Sequence, residues 1–289
     1  MSLLRINTNI AALNTQRNLN RTSFGLSKTL EKLSSGYRIN VAADGPADLI
    51  ISEILRSQIS GIKAAIRNSQ EATNYINIAE GALIEVNNLL SGLRGLAIHA
   101  ANSGVVTGEQ VAADQQEVNN ILRSIRRIND VTRFGGDYMF RGGASATRTF
   151  HVGEGGNATD QVQIAFSRVS PSFLVGGLLQ SLINSGVTQG TYNLSDNALA
   201  AISIIDDAIN SVGTLRAELG AFSKNTLRTN INSLSVAMEN VTQTESFIRD
   251  ANMAEETTNF TKQQILVQSG VSVLAQSNVI SQSVLQLLQ

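Results

Sequence analysis

The sequence predicts a mainly α-helical protein, a long antiparallel coiled-coil rod built from both chain termini with a small β-hairpin inserted in the middle. Three observations carry this prediction. Apolar residues recur at alternating spacings of four and three at both ends and through a long internal stretch, the period of helices packed on helices. Only 2 prolines occur in 289 residues, and proline is the residue that breaks long helices. Near residue 135 the helical period disappears, glycines punctuate the chain, and short alternating segments follow.

At the start, Ile6, Ile10, Leu13 and Phe24 share one helical track, and Leu19, Leu26, Leu30 and Leu33 continue on a neighbouring one. This block stops at Ser34-Ser35-Gly36, where glycine can serve as a left-handed C-cap. Residues Val41 to Pro46 form a loop feeding a second helix, with Asp44 or Gly45 near its cap and Pro46 in its first turn. From there Leu55, Ile62, Ser69, Ile76, Leu83, Leu90 and Ala97 repeat at heptad spacing, and Gln58, Ala65, Ala72, Ala79, Val86, Leu93 and Ala100 repeat on the companion track. A helix from Pro46 to Ala101 is about 80 Å long at 1.5 Å per residue. Alanines on one track and larger aliphatics on the other favour close, left-handed packing against a neighbouring helix. Asn102-Ser103-Gly104 ends it, and Val111, Val118, Ile121, Ile125 and Ile128 mark a shorter return helix.

Phe134-Gly135-Gly136 and Arg141-Gly142-Gly143 then interrupt the chain. Thr149 to Val152 and Gln161 to Phe166 alternate like strands about the turn Gly153-Glu154-Gly155-Gly156-Asn157, a β-hairpin whose Phe150, Val152, Val162 and Ile164 are expected to pack on the rod. Residues 167–193 carry no assignable pattern. The 144–190 region is expected to be surface-exposed and dispensable for assembly, tolerant of an insertion near Ser185-Gly186, with hydroxyls open to glycosylation. Helix resumes near Ser195-Asp196. Leu199, Ile202, Ile205, Ile209, Val212 and Leu219 lead into Leu227, Ile231, Leu234, Met238, Val241 and Ile248 after a phase shift. The last helix carries two ladders, Phe260, Val267, Val271, Leu274, Leu285 and Leu288 beside Leu266, Val273, Ile280, Val284 and Leu287.

Several function classes are disfavoured. A formal charge of −1 offers no electrostatic footprint for nucleic acid. The absence of cysteine removes disulfides, thiol chemistry and thiolate metal sites. The N-terminus lacks the apolar core of a cleavable secretory signal, and no uninterrupted run of about 18 apolar residues occurs, so membrane insertion is not expected. His99 and His151 have no acidic cluster of metal-ligand spacing near them. The glycines at 153–156 lack the lysine and following helix of a phosphate loop, and Asp206-Asp207 is expected to be a solvated pair. No catalytic, cofactor-binding or metal-ligating residue is therefore assigned, no cofactor is expected, and the chain is not expected to be an enzyme.

What remains is assembly. The apolar arcs at the two ends are too wide to be covered by pairing with each other, so Ile6, Ile10, Leu13, Phe24, Leu30, Leu33, Leu266, Val267, Val271, Leu274, Val284, Leu285 and Leu288 are expected at contacts between copies. The ends are accordingly expected to be poorly ordered in the free monomer.

These residues also carry a resemblance. Ile6-Asn7-Thr8-Asn9-Ile10-Ala11-Ala12-Leu13-Asn14, then Leu30-Glu31-Lys32-Leu33-Ser34-Ser35-Gly36-Tyr37-Arg38-Ile39-Asn40 and Glu80-Gly81-Ala82-Leu83, resemble the N-terminal region of bacterial flagellins. Ile248 to Glu256 and Gln264 to Asn278 are similar to the flagellin C-terminus. The resemblance spans about 1–140 and 195–289. It implies a filament subunit for motility in which 1–44 and 247–289 form an inner coiled-coil tube, 45–134 and 195–246 form a rod domain, and 135–194 completes that domain with a hairpin and loop. It further implies export through the flagellum's own type III apparatus to an extracellular location, and as partners further copies of itself, an export chaperone, filament cap and hook-junction proteins. Leu96 and Glu117 match family positions that contact an innate immune receptor, although Gly92 stands where that contact usually has an arginine. The nearest alternative is a hook-filament junction protein of the same architecture. A signalling or scaffold coiled coil would share the heptads but not both terminal motifs.

Overall fold

The computed structural model of this chain describes residues 9–102, 104–140, 146–166 and 194–287. Its elements are α1 (Ile10–Ser35), α2 (Pro46–Ala101), α3 (Gly108–Val131), β1 (Arg133–Phe134), β2 (Asp137–Tyr138), β3 (Ala146–His151), β4 (Gln161–Phe166), α4 (Leu194–Ala221), α5 (Thr229–Arg249) and α6 (Met253–Leu287). The fold is mainly α, as the sequence predicts, with two small antiparallel strand pairs, β1 with β2 and β3 with β4. The exposure and insertion tolerance expected around Ser185 fall in 167–193, outside the described residues. The chain divides into two compact units, Met1–Ile59 with Glu239–Gln289, and Ser60–Met238.

The 60–238 unit is built on the heptads of α2. Ile62, Ile76, Leu83, Leu90 and Ala97 are buried on one track, and Ala65, Ala72, Ala79, Val86, Leu93 and Ala100 on the other. Val118, Leu122 and Ile125 of α3 and Ile205, Val212, Leu215 and Leu219 of α4 close the same cluster. On α4 the alanines 198, 201 and 208 also face inward. Leu199, expected on the apolar track, is instead 79% exposed, because it sits about 100° round the helix from Ala198.

Ser69 interrupts the ladder yet is fully buried, because its hydroxyl is satisfied: it donates to the Ala65 carbonyl at 2.9 Å and accepts from Asn230 Nδ2 at 3.3 Å. The phase shift between Leu219 and Leu227 has a structural cause. A π-helical stretch, Phe222–Arg228, joins α4 to α5 without a break, and its wider turn takes up an extra residue so that both leucines are buried. Residues 198–249 are, by length and composition, long and apolar enough to cross a membrane, which the lack of an uninterrupted apolar run does not reveal. Several of those apolar side chains, Ile205, Val212, Leu219 and Leu227 among them, are used in the core.

The predicted hairpin pairs Phe150 with Val162 and His151 with Gln161. Val152 and Ile164 are buried in the core cluster, and Phe150 and Val162 pack against it half-buried. Two amides on the helices hold its turn end: Asn68 Nδ2 donates to the His151 carbonyl at 3.0 Å and Asn230 Nδ2 to the Val152 carbonyl at 2.8 Å. The preceding glycines do more than punctuate. Gly135 and Gly136, at φ 59° and 99°, make the two-residue turn of the β1–β2 pair, a conformation that L residues rarely adopt. Tyr75 meets Phe134 and Phe150 edge-on at 5.3 and 5.6 Å, seating both strand pairs on α2.

Candidate assembly surface

In the other unit α1 and α6 pack antiparallel along each other. Asn9 caps α1, accepting the Ala12 amide at 3.0 Å, and its own side-chain amide donates to the Ser277 carbonyl at 3.0 Å. Further along, a Cβ on Gly270 would come within 3.2 Å of Leu19 Cδ1, and one on Gly25 within 3.1 Å of Gln263, so these glycines set how closely the helices approach. At the other end Lys32 Nζ lies 3.2 Å from Glu256 Oε1, placing a cation in the last turn of α1 and an anion in the first turn of α6, where each complements its helix dipole.

The turns beyond these helices are tied into one junction. Gly36 ends α1 at φ 76°, and the Gly36 carbonyl accepts the Ala251 amide at 2.9 Å while the Arg38 amide donates to the Arg249 carbonyl at 2.7 Å. Arg249 bonds Glu53 of α2 at 2.9 Å and stacks over Tyr37 at 4.9 Å. The Arg249 hydrogen bond, aided by Arg56, holds the Glu53 carboxyl below the usual carboxylate range. Asp44 Oδ1 accepts from Lys28 Nζ at 2.8 Å, and its Oδ2 accepts the amides of Val41 and Asn40. These bonds hold its carboxyl below its ordinary value, the Lys28 hydrogen bond contributing most, and Lys28 is raised in return.

Pairing leaves much of both helices bare. Thr29 is the buried residue of α1, and no described side chain of α6 is buried. Of the residues assigned to subunit contacts, Ile10, Leu13, Phe24, Leu30, Leu266 and Val271 are exposed, Phe24 at 66%. Leu33, Val267 and Leu274 are half-buried. Ile6 and Leu288 lie outside the described residues, as do the side chains of Val284 and Leu285, whose backbone continues α6. Further apolar side chains are also exposed, among them Ile50, Ile51 and Ile54 at the start of α2, Phe247 on α5 and Ile265 on α6. Ile50 and Ile54 fall off the buried heptad tracks of α2, whereas Ile51 continues the track of Gln58 and Ala65 and is exposed all the same.

Among the described residues no group of His, Asp and Glu could hold a metal ion. His99 Nδ1 lies 2.6 Å from Asp114 Oδ2, tying the end of α2 to α3. Asp206, one of the expected solvated pair, bonds Arg94 at 2.6 Å and raises its guanidinium pKa further. The 153–156 glycines form the hairpin turn, closed by Asp160 Oδ2 accepting the Asn157 amide at 3.0 Å. Leu96 is half-buried on α2, Gly92 is exposed there, and Glu117 is exposed on α3.

Comparison with known proteins agrees with this geometry. A family description for the bacterial flagellin N-terminal helical region matches residues 6–145, and one for the bacterial flagellin C-terminal helical region matches residues 202–288. A flagellin of Bacillus subtilis (strain 168) is 38% identical, the match spanning 99% of this chain and 100% of that protein. The flagellar filament 33 kDa core protein of Treponema phagedenis is 36% identical over 98% of this chain and 99% of its own length. Among solved structures, a putative flagellar hook-associated protein from Vibrio parahaemolyticus shares the fold, with a TM-score of 0.58 at 17% identity, covering 71% of this chain and 99% of that one. A Bacillus cereus flagellin gives a TM-score of 0.44 at 22% identity, covering 58% of this chain and 88% of the other.

Proposed function

The chain belongs to the bacterial flagellin family, and from that membership we propose that it polymerises by burying the exposed apolar faces of its α1–α6 hairpin against copies of itself. It is a structural subunit of the bacterial flagellar filament, serving motility. The observation that carries the polymerisation reading is the hairpin's surface: Ile10, Leu13, Phe24, Leu30, Leu266 and Val271 stay open to solvent although the two helices already pair. Large apolar side chains left open in this number are costly to keep wet, and an interface between copies covers them.

In this reading 1–44 with 247–289 form the inner tube of the filament, 45–134 with 195–246 form the rod domain, and 135–194 completes that domain. The subunit leaves the cell through the flagellar type III apparatus and has no enzymatic role. An export chaperone, the filament cap and hook-junction proteins are its further partners. An innate immune receptor would meet it through Leu96 and Glu117, with Gly92 depriving that contact of its usual arginine. The relatives are named flagellins and filament core proteins, which favours the filament over a hook-filament junction.

The test is to seed purified protein and follow it by electron microscopy. Long filaments are expected. Rings or short caps alone would point to a junction role, and persistent monomers would overturn the reading.

A further inference from the structure

Two seams in the unit that carries the hairpin remain without a partner. On α2, Ala47, Ile50, Ile54 and Ser57 follow the three-four spacing of a helix-packing ladder, and all four are exposed. Ile50 and Ile54 are 63% and 61% exposed and stand one turn apart, each 200° round the helix from buried Ser52. On α5, Asn240, Gln243 and Phe247 form a second exposed ladder of the same spacing, ending in a phenylalanine that is 88% exposed. Neither seam carries a charge, although Glu53 and Arg56 on α2 and Glu239 and Glu245 on α5 stand on other faces of the same turns.

The two seams do not cover each other within one chain. Arg249 reaches α2 through Glu53, and Phe247 lies about 200° round α5 from Arg249. Its exposure shows the same thing directly.

We propose that Phe247 of one subunit seats in the notch between Ile50 and Ile54 of a neighbouring copy, making a head-to-tail contact in the filament separate from the α1–α6 hairpin. The proposal rests on the filament reading, which supplies the occupant: in a polymer of this chain every copy presents both seams. One seam offers an aromatic knob and the other an aliphatic notch of i, i+4 side chains, so the contact pairs unlike surfaces. A pairing of unlike surfaces repeats from copy to copy and generates an open helical array when the rotation does not close. The absence of charge on both seams means that no ionised group is desolvated when they meet.

The natural chain has no cysteine, so thiols placed in it report only on themselves. The experiment introduces Ile54→Cys and Phe247→Cys together and singly, assembles filaments with wild-type seeds, and treats filaments and monomers with a short bismaleimide. The double variant in filaments is expected to give a ladder of covalent oligomers on a denaturing gel. Monomers and both single variants are expected to give none. A double variant that forms filaments but yields no ladder overturns the contact, and dimers from either single variant overturn its head-to-tail character. If the double variant fails to assemble, the same treatment of filaments in which each single variant is mixed with the other, with dimers expected and their absence overturning the contact, replaces it. Leu274→Asp is run alongside. If that variant polymerises normally, the hairpin reading falls whatever the cross-linking shows, so the two failures are distinguishable.

Discussion

Lys28 and Asp44 lie 2.8 Å apart, and the second carboxylate oxygen of Asp44 accepts two backbone amides of the loop that leads into α2. One carboxylate thus fastens α1 to the turn that redirects the chain. Because its folded pKa is depressed, Asp44 contributes stability above the ordinary carboxylate pKa of about 4 and loses it as pH falls through the folded value. The raised Lys28 has the opposite sign, its contribution being complete below the ordinary lysine pKa and lost as pH rises through the folded one. Urea unfolding of Asp44→Asn should show a lower midpoint than wild type at pH 7. The gap should narrow as the pH drops below the carboxylate range.

Asn230 should be the costliest polar residue to lose around the hairpin. It donates to the Val152 carbonyl and to buried Ser69, so Asn230→Ala strands both acceptors, at about 1–3 kcal/mol. Calorimetry should show the loss, and amide exchange along Gln161–Phe166 should quicken. Unchanged exchange there would mean that Asn68 and the apolar contacts hold the hairpin without Asn230.

Leu83 and Ile84 are neighbours with opposite fates. Leu83 is fully buried, so Leu83→Ala should cost about 2–5 kcal/mol through lost contacts and the cavity left behind. Ile84 is exposed, and Ile84→Ala should change stability by about 0.5 kcal/mol or less. Denaturant melts of the two variants check the inward direction of α2 at single-residue resolution.

The α1–α6 hairpin buries few of its own side chains, and fixing each residue costs about 1–2 kcal/mol of backbone entropy. Amides of residues 10–35 and 253–287 should therefore exchange quickly in the monomer and become protected in the filament. Strong protection in both states would show that the hairpin is stable by itself. Gly36→Ala should weaken the end of α1 by about 1–2 kcal/mol, since a Cβ at φ 76° is strained even where space is open.

Much of this architecture was legible in the chain because a heptad is a local pattern with a global meaning. The α2 tracks from Ile62 to Ala100, the glycine stop at Gly36, the hairpin about 153–157 and the apolar faces of both ends each follow from spacing and side-chain type. The candidate interface was legible in part for the same reason. Leu199 and Phe247 both stand exposed where no local pattern says so, because apolarity alone does not say which way a side chain points once alanines can take the inner face.

By itself, then, the sequence determined that long helices form, where they stop, and that their ends carry more apolar surface than one chain can cover, since those properties depend on propensity and period along the backbone. Only the tertiary structure decided which arcs are covered. It seats Ser69 against Asn230, absorbs the phase shift between Leu219 and Leu227 in a π turn, and leaves Ile54 and Phe247 bare. Burial is a property of what a neighbouring helix places opposite a residue, and in an antiparallel fold that neighbour lies far away in sequence, beyond the reach of any local pattern.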